Sequence, residues 1–205
     1  LMPRMIGSFR QAYPDVSVQL KVHSTRRTGW SVANGQIDLA IIGGQLPGDL
    51  ENLLQIIPYA TDELALVLPI SHPLTNKKEL LKEDLYKLNF VTLDSQSTTR
   101  KVVDKLLKDS GLEIQRLKIE MELNSLEAIK NAVQSGLGAS FIPVVSIERE
   151  LAGGTIHKAR IADLEVKREL KLITNPSRYT SRASQVFKKN ILPQFASSES
   201  PLRKI

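Results

Sequence analysis

Two short stretches carry the residue types that hold anions. Val22-His23-Ser24-Thr25-Arg26-Arg27-Thr28 and Val91-Thr92-Leu93-Asp94-Ser95-Gln96-Ser97-Thr98-Thr99-Arg100 each run from a strand pattern into a turn rich in hydroxyls and arginine, where a helical pattern starts. The first N–H groups of a helix have no partner inside it, and the positive end of its dipole lies there, so a carboxylate or phosphate is stabilised. Ser and Thr add donors without filling the space, and Arg adds a bidentate fork. Taken singly, either stretch reads more simply as an N-cap. Two of them, one in each half of an α/β chain, point to a small anionic ligand held between two lobes.

Within the first stretch, Ser24, Thr25 and Arg26 are the candidate ligands, Thr25 foremost; the alternative for Ser24 or Thr25 is capping of the next helix. Adjacent Arg26 and Arg27 cannot easily face one site together, and Arg26 is the preferred one. Gly43 and Gly44, after an apolar strand, either let a backbone approach the ligand closely or simply turn the chain. Within the second stretch the candidates are Ser97, Thr98, Thr99 and Arg100, Thr98 foremost. Asn124 and Ser125 open a further helix, where capping competes with ligation.

Much other chemistry is excluded. The chain has no Cys, hence no disulfide, thiolate nucleophile or Cys-based metal site. His23, His72 and His157 lack metal-ligand spacing, and no nucleophile elbow, Walker loop or HExxH string occurs, so neither a metal nor a cofactor is expected. Asp38, Glu120 and Glu122 have no identifiable base partner. Lone Trp30 is read as a core or dimer-contact residue. With 205 residues, 41% hydrophobic and 24% charged, the composition is that of a globular protein, without an apolar run of ~18 residues that would span a membrane. The start, Leu1-Met2-Pro3-Arg4, reads as neither a signal nor a transit peptide. A net charge of +6 favours anionic partners, but the basic residues are scattered and only 5% of residues are aromatic, which does not suit a nucleic-acid surface.

The positioning elements follow from periodicity. Met2, Met5, Ile6, Phe9 and Tyr13 mark a helix; Val16, Val18, Leu20 and Val22 alternate as a strand; Ile37 to Ile42 reads as a strand buried on both faces of a parallel sheet. After a strand at 64–68, Pro69, His72 and Pro73 punctuate the chain. A second series follows: helix 80–88, strand 90–93, helix 101–108, strand 119–123, helix 126–134 and an apolar segment 139–142. Strand 167–174, a closing amphipathic helix through Phe195 and a polar tail 197–205 complete the chain. This pattern predicts an α/β fold of two Rossmann-like lobes joined by two crossing strands, lobe I from 1–70 plus 173–205 and lobe II from 71–172.

Four strings, Tyr13-Pro14-Asp15-Val16, Asn34-Gly35-Gln36-Ile37-Asp38-Leu39-Ala40-Ile41, Ser71-His72-Pro73-Leu74 and Gly136-Leu137-Gly138-Ala139-Ser140-Phe141-Ile142-Pro143, together resemble the effector-binding domain of LysR-type transcriptional regulators. His23 to Thr28, Asp38 to Gly44, Ile57-Pro58-Tyr59-Ala60 and Asp62-Glu63-Leu64-Ala65-Leu66 are similar to its cyanobacterial and plastid branch, which controls RuBisCO, inorganic-carbon uptake and NADH-dehydrogenase genes. The resemblance implies a type II periplasmic-binding-protein-like fold whose cleft takes a metabolite such as 2-oxoglutarate, 2-phosphoglycolate, ribulose 1,5-bisphosphate or NADPH. It implies a non-enzymatic sensor acting in the cytoplasm or plastid stroma, a homo-dimer or tetramer, and promoter DNA contacts made only by a winged helix-turn-helix outside this sequence. It also places the first strand of lobe I, with a Ser/Thr-rich turn, before Leu1. The competing reading is an extracytoplasmic solute-binding protein of the same fold; an enzyme would need an acid or base in the cleft.

Overall fold

The computed structural model describes residues 2–196, so the expected polar tail 197–205 lies outside the described residues. The chain forms two compact units, one containing residues up to Thr61 and from Glu169 onward, the other Asp62–Arg168. The chain therefore passes between units at 61/62 and 168/169, against the expected 70/71 and 172/173. Pro69 and His72 mark the end of a strand that has already entered the second unit, because its pairing continues through Pro69.

The first unit begins with α1 (Met2–Ala12), whose Met5 and Phe9 are buried. Residues 13–24 form no strand: the alternating Val16–Val22 segment has no ladder partner among the described residues, and Leu20 and Val22 stay 45% and 85% exposed. Alternation supplies a face, but a strand also needs a neighbour for its N–H and C=O groups. An open, largely apolar groove of about 650 Å³ separates this segment from the next strand. α2 (Thr25–Ala33) packs so tightly that a Cβ on Gly29 would stand 2.6 Å from Leu46. Trp30 on α2 is surface-exposed at 38%. β1 (Leu39–Ile42) was expected in a parallel sheet with both faces covered; it is only partly buried until Ile42, and α3 (Gly48–Glu51) follows it.

β2 (Gln55–Pro69) is a 15-residue strand that carries the chain into the second unit. There a 3₁₀ turn (Pro73–Asn76) follows, and a second one (Lys82–Lys87) stands where the helix 80–88 was expected. β3 (Asn89–Leu93), α4 (Thr98–Asp109), β4 (Lys118–Leu123) and α5 (Leu126–Gln134) follow. β5 (Ser140–Pro143), α6 (Glu148–Ala152) and β6 (Ile156–Ala159) complete the unit. β3 and β4 pair in parallel, whereas β2 pairs antiparallel with β5 and β6. The Gly136–Pro143 string is legible here. Gly136 adopts φ +83° just after α5, and Gly138 brings its backbone so close to Asn89 that a Cβ would stand 2.6 Å from that carbonyl oxygen. Ala139 then donates to the same oxygen at 2.8 Å. Leu64, Leu66, Leu68, Phe90, Val103 and Leu107 form the main core of this unit, and Val67, Val91, Ile129 and Ile142 a second cluster.

β7 (Lys167–Thr174) returns the chain and pairs antiparallel with β1, Leu39 opposite Thr174 and Ile42 opposite Lys171. α7 (Arg182–Val186), a π-helical turn (Phe187–Ile191) and α8 (Leu192–Phe195) make up the expected closing helix. Their Phe187, Ile191 and Leu192 pack with Met5, Phe9 and the fully buried Tyr59, whose hydroxyl donates to the Leu192 carbonyl at 3.1 Å.

In the second 3₁₀ turn of the second unit the Asp84 carboxylate is buried. Asp84 accepts from Lys87 at 2.8 Å, Lys77 at 3.0 Å and the Leu81 N–H at 3.1 Å, which hold its pKa far below the ordinary 3.8. A depressed carboxylate contributes stability above its unfolded-state pKa and loses it as pH falls through the folded value. Asp84→Asn is therefore expected to lower the unfolding free energy at pH 7 by roughly 1.5 to 3 kcal/mol. The gap to the parent protein should shrink as pH drops below about 4 in urea titrations followed by circular dichroism.

Candidate functional site

The parallel pair β3–β4 decides where the second unit presents polar groups. Leu93 and Leu123 sit opposite each other at the carboxyl ends of the two strands, and Asp94 N–H donates to the Leu123 carbonyl at 3.1 Å. The turns after both strands thus emerge on one edge and lead into α4 and α5, the place where open α/β sheets bind ligands. In this way Ser97, Thr98, Thr99 and Arg100 come beside the turn of Asn124 and Ser125.

The turn before α4 is built by its own side chains. Asp94 Oδ1 accepts from Gln96 N–H at 2.9 Å, and the Asp94 carbonyl accepts from Ser97 N–H at 2.9 Å. Ser97 stands at the N-cap with extended backbone, yet its hydroxyl makes no capping bond. A 12-residue helix therefore starts with no side-chain cap and with no acidic residue in its first turn. Such a start keeps its donors and its positive dipole end available for an anion. Ser97, Thr98 and Thr99 are all half-buried there.

Arg100 is turned inward to the protein. Its Nε donates to both carboxylate oxygens of Asp104 at 2.8 Å; Nη1 donates to the Thr92 hydroxyl and reaches the Leu93 carbonyl at 3.4 Å and Glu122 at 3.5 Å. A cavity of about 30 Å³, the size of one water molecule, lies under this end of α4, lined by Phe90, Thr99, Arg100 and Ser140 among others. Asn124 is exposed, and Ser125 caps α5 by accepting from Ala128 N–H at 3.1 Å.

In the first unit the turn after residue 22 is used differently. Ser24 is the N-cap of α2, accepting from Arg27 N–H at 3.4 Å, while Thr25 is buried to 7% exposure in the first helical turn. Arg26 and Arg27 are exposed, and Gly43 and Gly44 form a half-buried bend after β1. The large groove of this unit is lined by apolar Ile6, Phe9, Val18 and Phe187 and also by the donors Lys21, His23, Thr28 and Ser181.

Two residues outside the sequence candidates complete the second unit's polar edge. Arg168 donates from Nη1 to the Thr99 hydroxyl oxygen at 2.9 Å, and from Nε and Nη2 to Asp62 Oδ2 at 2.9 and 2.7 Å. Asp62 is 5% exposed, and its other oxygen, Oδ1, has no hydrogen-bond partner. A separation of 106 residues hides this pair from any local pattern; in β2 Asp62 stands beside a second acidic residue, Glu63, just ahead of the apolar run Leu64–Leu68. His72 accepts from Leu74 N–H through Nδ1 at 3.2 Å and so shapes the 3₁₀ turn after β2. Among the described residues no group of three or more His, Cys, Asp or Glu is arranged to hold a metal, and no helix is long and apolar enough to cross a membrane.

Residues 1–196 match the family described as LysR substrate binding domain. A "Probable RuBisCO transcriptional regulator" of Trichormus variabilis is 62% identical over 199 residues, covering 97% of this chain and 59% of that protein. A protein of the same name in Synechocystis sp. is 61% identical over 196 residues, covering 96% and 57%. The chain thus spans about three fifths of the length of these relatives. Among solved structures, the Synechocystis PCC6803 CcmR regulatory domain in complex with 2-PG superposes with a TM-score of 0.82 at 25% identity, covering 97% of this chain and 92% of that one. The effector binding domain of QuiR in complex with shikimate gives 0.77 at 20% identity, covering 97% and 91%, a likeness of fold.

Nε and Nη1 of Arg100 are bonded to the scaffold. Arg100→Met removes its charged hydrogen bonds and strands Thr92 and Asp104, and is expected to lower the unfolding free energy by roughly 1.5 to 3 kcal/mol in urea denaturation. An unchanged midpoint would show that the guanidinium is free for another partner.

Proposed function

Because the chain belongs to the LysR substrate-binding domain family, we propose that it is the effector-sensing part of a transcriptional regulator and that its effector is a small anionic carbon metabolite. The observation that carries the reading is the start of α4, where an uncapped 12-residue helix offers N–H groups together with the Ser97, Thr98 and Thr99 hydroxyls. An acidic group seated there takes the helix-dipole field and up to three hydroxyl donors. The named relatives supply the context of RuBisCO regulation, and the 2-PG complex of the CcmR domain supplies a precedent for a small metabolite on this fold.

In this proposal the candidate effectors are 2-oxoglutarate, 2-phosphoglycolate, ribulose 1,5-bisphosphate and NADPH. Asn124 and the first unit's Ser24, Thr25, Arg26, Gly43 and Gly44 remain proposed contacts. Binding shifts a pre-existing conformational equilibrium by the ligand's differential affinity for its states. The full-length protein, as a dimer or tetramer, would convert that shift into altered promoter binding and transcription of CO₂-fixation or inorganic-carbon-uptake genes, in the cytoplasm or plastid stroma. Its role is sensing rather than catalysis.

The test is calorimetry with the four candidates. At least one is expected to bind, and Thr98→Val, which keeps the shape and removes the hydroxyl, should weaken it by about ten- to a hundredfold, the loss of a charged hydrogen bond worth roughly 1.5 to 3 kcal/mol. Folding stability should change far less. Binding by none of the four would overturn the effector class. Full affinity in Thr98→Val would move the acidic group away from that hydroxyl.

A further inference from the structure

We propose that Arg168 is a positioning residue for the effector, acting through the Thr99 hydroxyl; the inference rests on the reading of the α4 start as the effector's seat. Three observations carry it. First, the direction of the Arg168–Thr99 bond is fixed by chemistry. A guanidinium has donors and no acceptor, so at 2.9 Å the Thr99 oxygen must accept. A hydroxyl carries a single proton, and with Arg168 on one lone pair that proton points away from Arg168. Arg168 thereby converts a freely rotating hydroxyl in the first turn of α4 into an oriented donor. The charged donor on its oxygen also polarises the hydroxyl and strengthens the bond it gives.

Second, the guanidinium is itself held for this task. Nε and Nη2 both converge on Asp62 Oδ2, at 2.9 and 2.7 Å, which leaves Nη1 turned to Thr99. A pair arranged for stability alone would spread its two bonds over both carboxylate oxygens. Here Oδ1 is buried with no partner, a cost that native structures rarely carry without a reason. Asp62 also cancels the charge of Arg168, so Arg168 supplies orientation rather than net attraction for anions.

Third, the tether has a defined place in the chain. Asp62 and Arg168 are the first and last residues of the second unit. The hydroxyl that meets the effector is thus bonded directly to the pair at which the chain enters and leaves that unit.

A double-mutant cycle on this 205-residue protein tests the assignment, with the four metabolites above as probes in calorimetry and urea unfolding as the control. Thr99→Val and Arg168→Met are each expected to weaken the probe that the parent binds by about tenfold, and the double variant no further than the worse single one, because Arg168 acts through a hydroxyl already gone. Arg168→Lys keeps a charge opposite Asp62 but cannot bridge Asp62 and Thr99 together; it should restore folding stability and leave affinity low. It also serves if Arg168→Met fails to fold. Losses that multiply in the double variant, or full affinity in Arg168→Lys, would overturn the assignment while leaving the effector reading intact. A parent protein that binds none of the probes would overturn both.

Discussion

A carboxylate buried to the extent of Asp62 would be costly alone by several kcal/mol, and the bond that makes it tolerable comes from Arg168, 106 residues away. The pair joins the first residue of the second unit to its last, so it fixes the ends of the whole 107-residue insertion, Asp62 to Arg168, relative to each other. The apolar ladder continues from there: Leu64 N–H donates to the Val166 carbonyl at 2.8 Å, and Leu64 to Val67 run antiparallel to Pro143 to Ser140. Entry and exit of the unit are thereby one ion pair followed by one backbone bond, and the remaining guanidinium nitrogen extends that junction to α4.

Parallel pairing of β3 and β4 is the second constraint. It puts the starts of α4 and α5 on one edge, and the two helices satisfy those starts in different ways. α5 is capped by Ser125, as its sequence suggests. α4 is not capped by Ser97, although Ser is among the best capping residues. The local structure is instead made by Asp94, whose side chain and carbonyl organise the turn and leave the helix end open. An open end that local chemistry could have closed is what sets this turn apart from an ordinary helix start.

Arginine placement sorts the charges at this edge. Arg100 belongs to Asp104, Thr92 and Leu93, and Arg168 to Asp62 and Thr99, so neither guanidinium stands as a bare cation. The field at the start of α4 therefore comes mainly from the helix itself and from oriented hydroxyls. Selectivity for the shape of an acidic group follows from such an arrangement more than from bulk charge, since fixed donors discriminate by geometry.

The sequence by itself determined the elements whose signal is local. Strand 167–174 coincides with β7, helix 126–134 with α5, and the Gly136 and Gly138 string with a left-handed residue and a close backbone approach, because side-chain period, capping and glycine conformation act within a few residues. The family strings and the α/β class were legible for the same reason, and so was the hydroxyl-rich turn at 97–100. Tertiary structure decided what depended on partners distant in the chain. The alternating Val16–Val22 segment has no ladder partner among the described residues, β1 pairs antiparallel with β7 rather than lying in a parallel sheet, and the units divide at 61/62 and 168/169. Likewise Arg100 reads in sequence as a ligand arginine, while in the fold its Nε and Nη1 donate to Asp104, Thr92 and Leu93; Arg168, with no motif around it, reaches Thr99. A hydrogen bond has a range of about 3 Å, so which arginine meets which acceptor is set by chain packing and not by residue type.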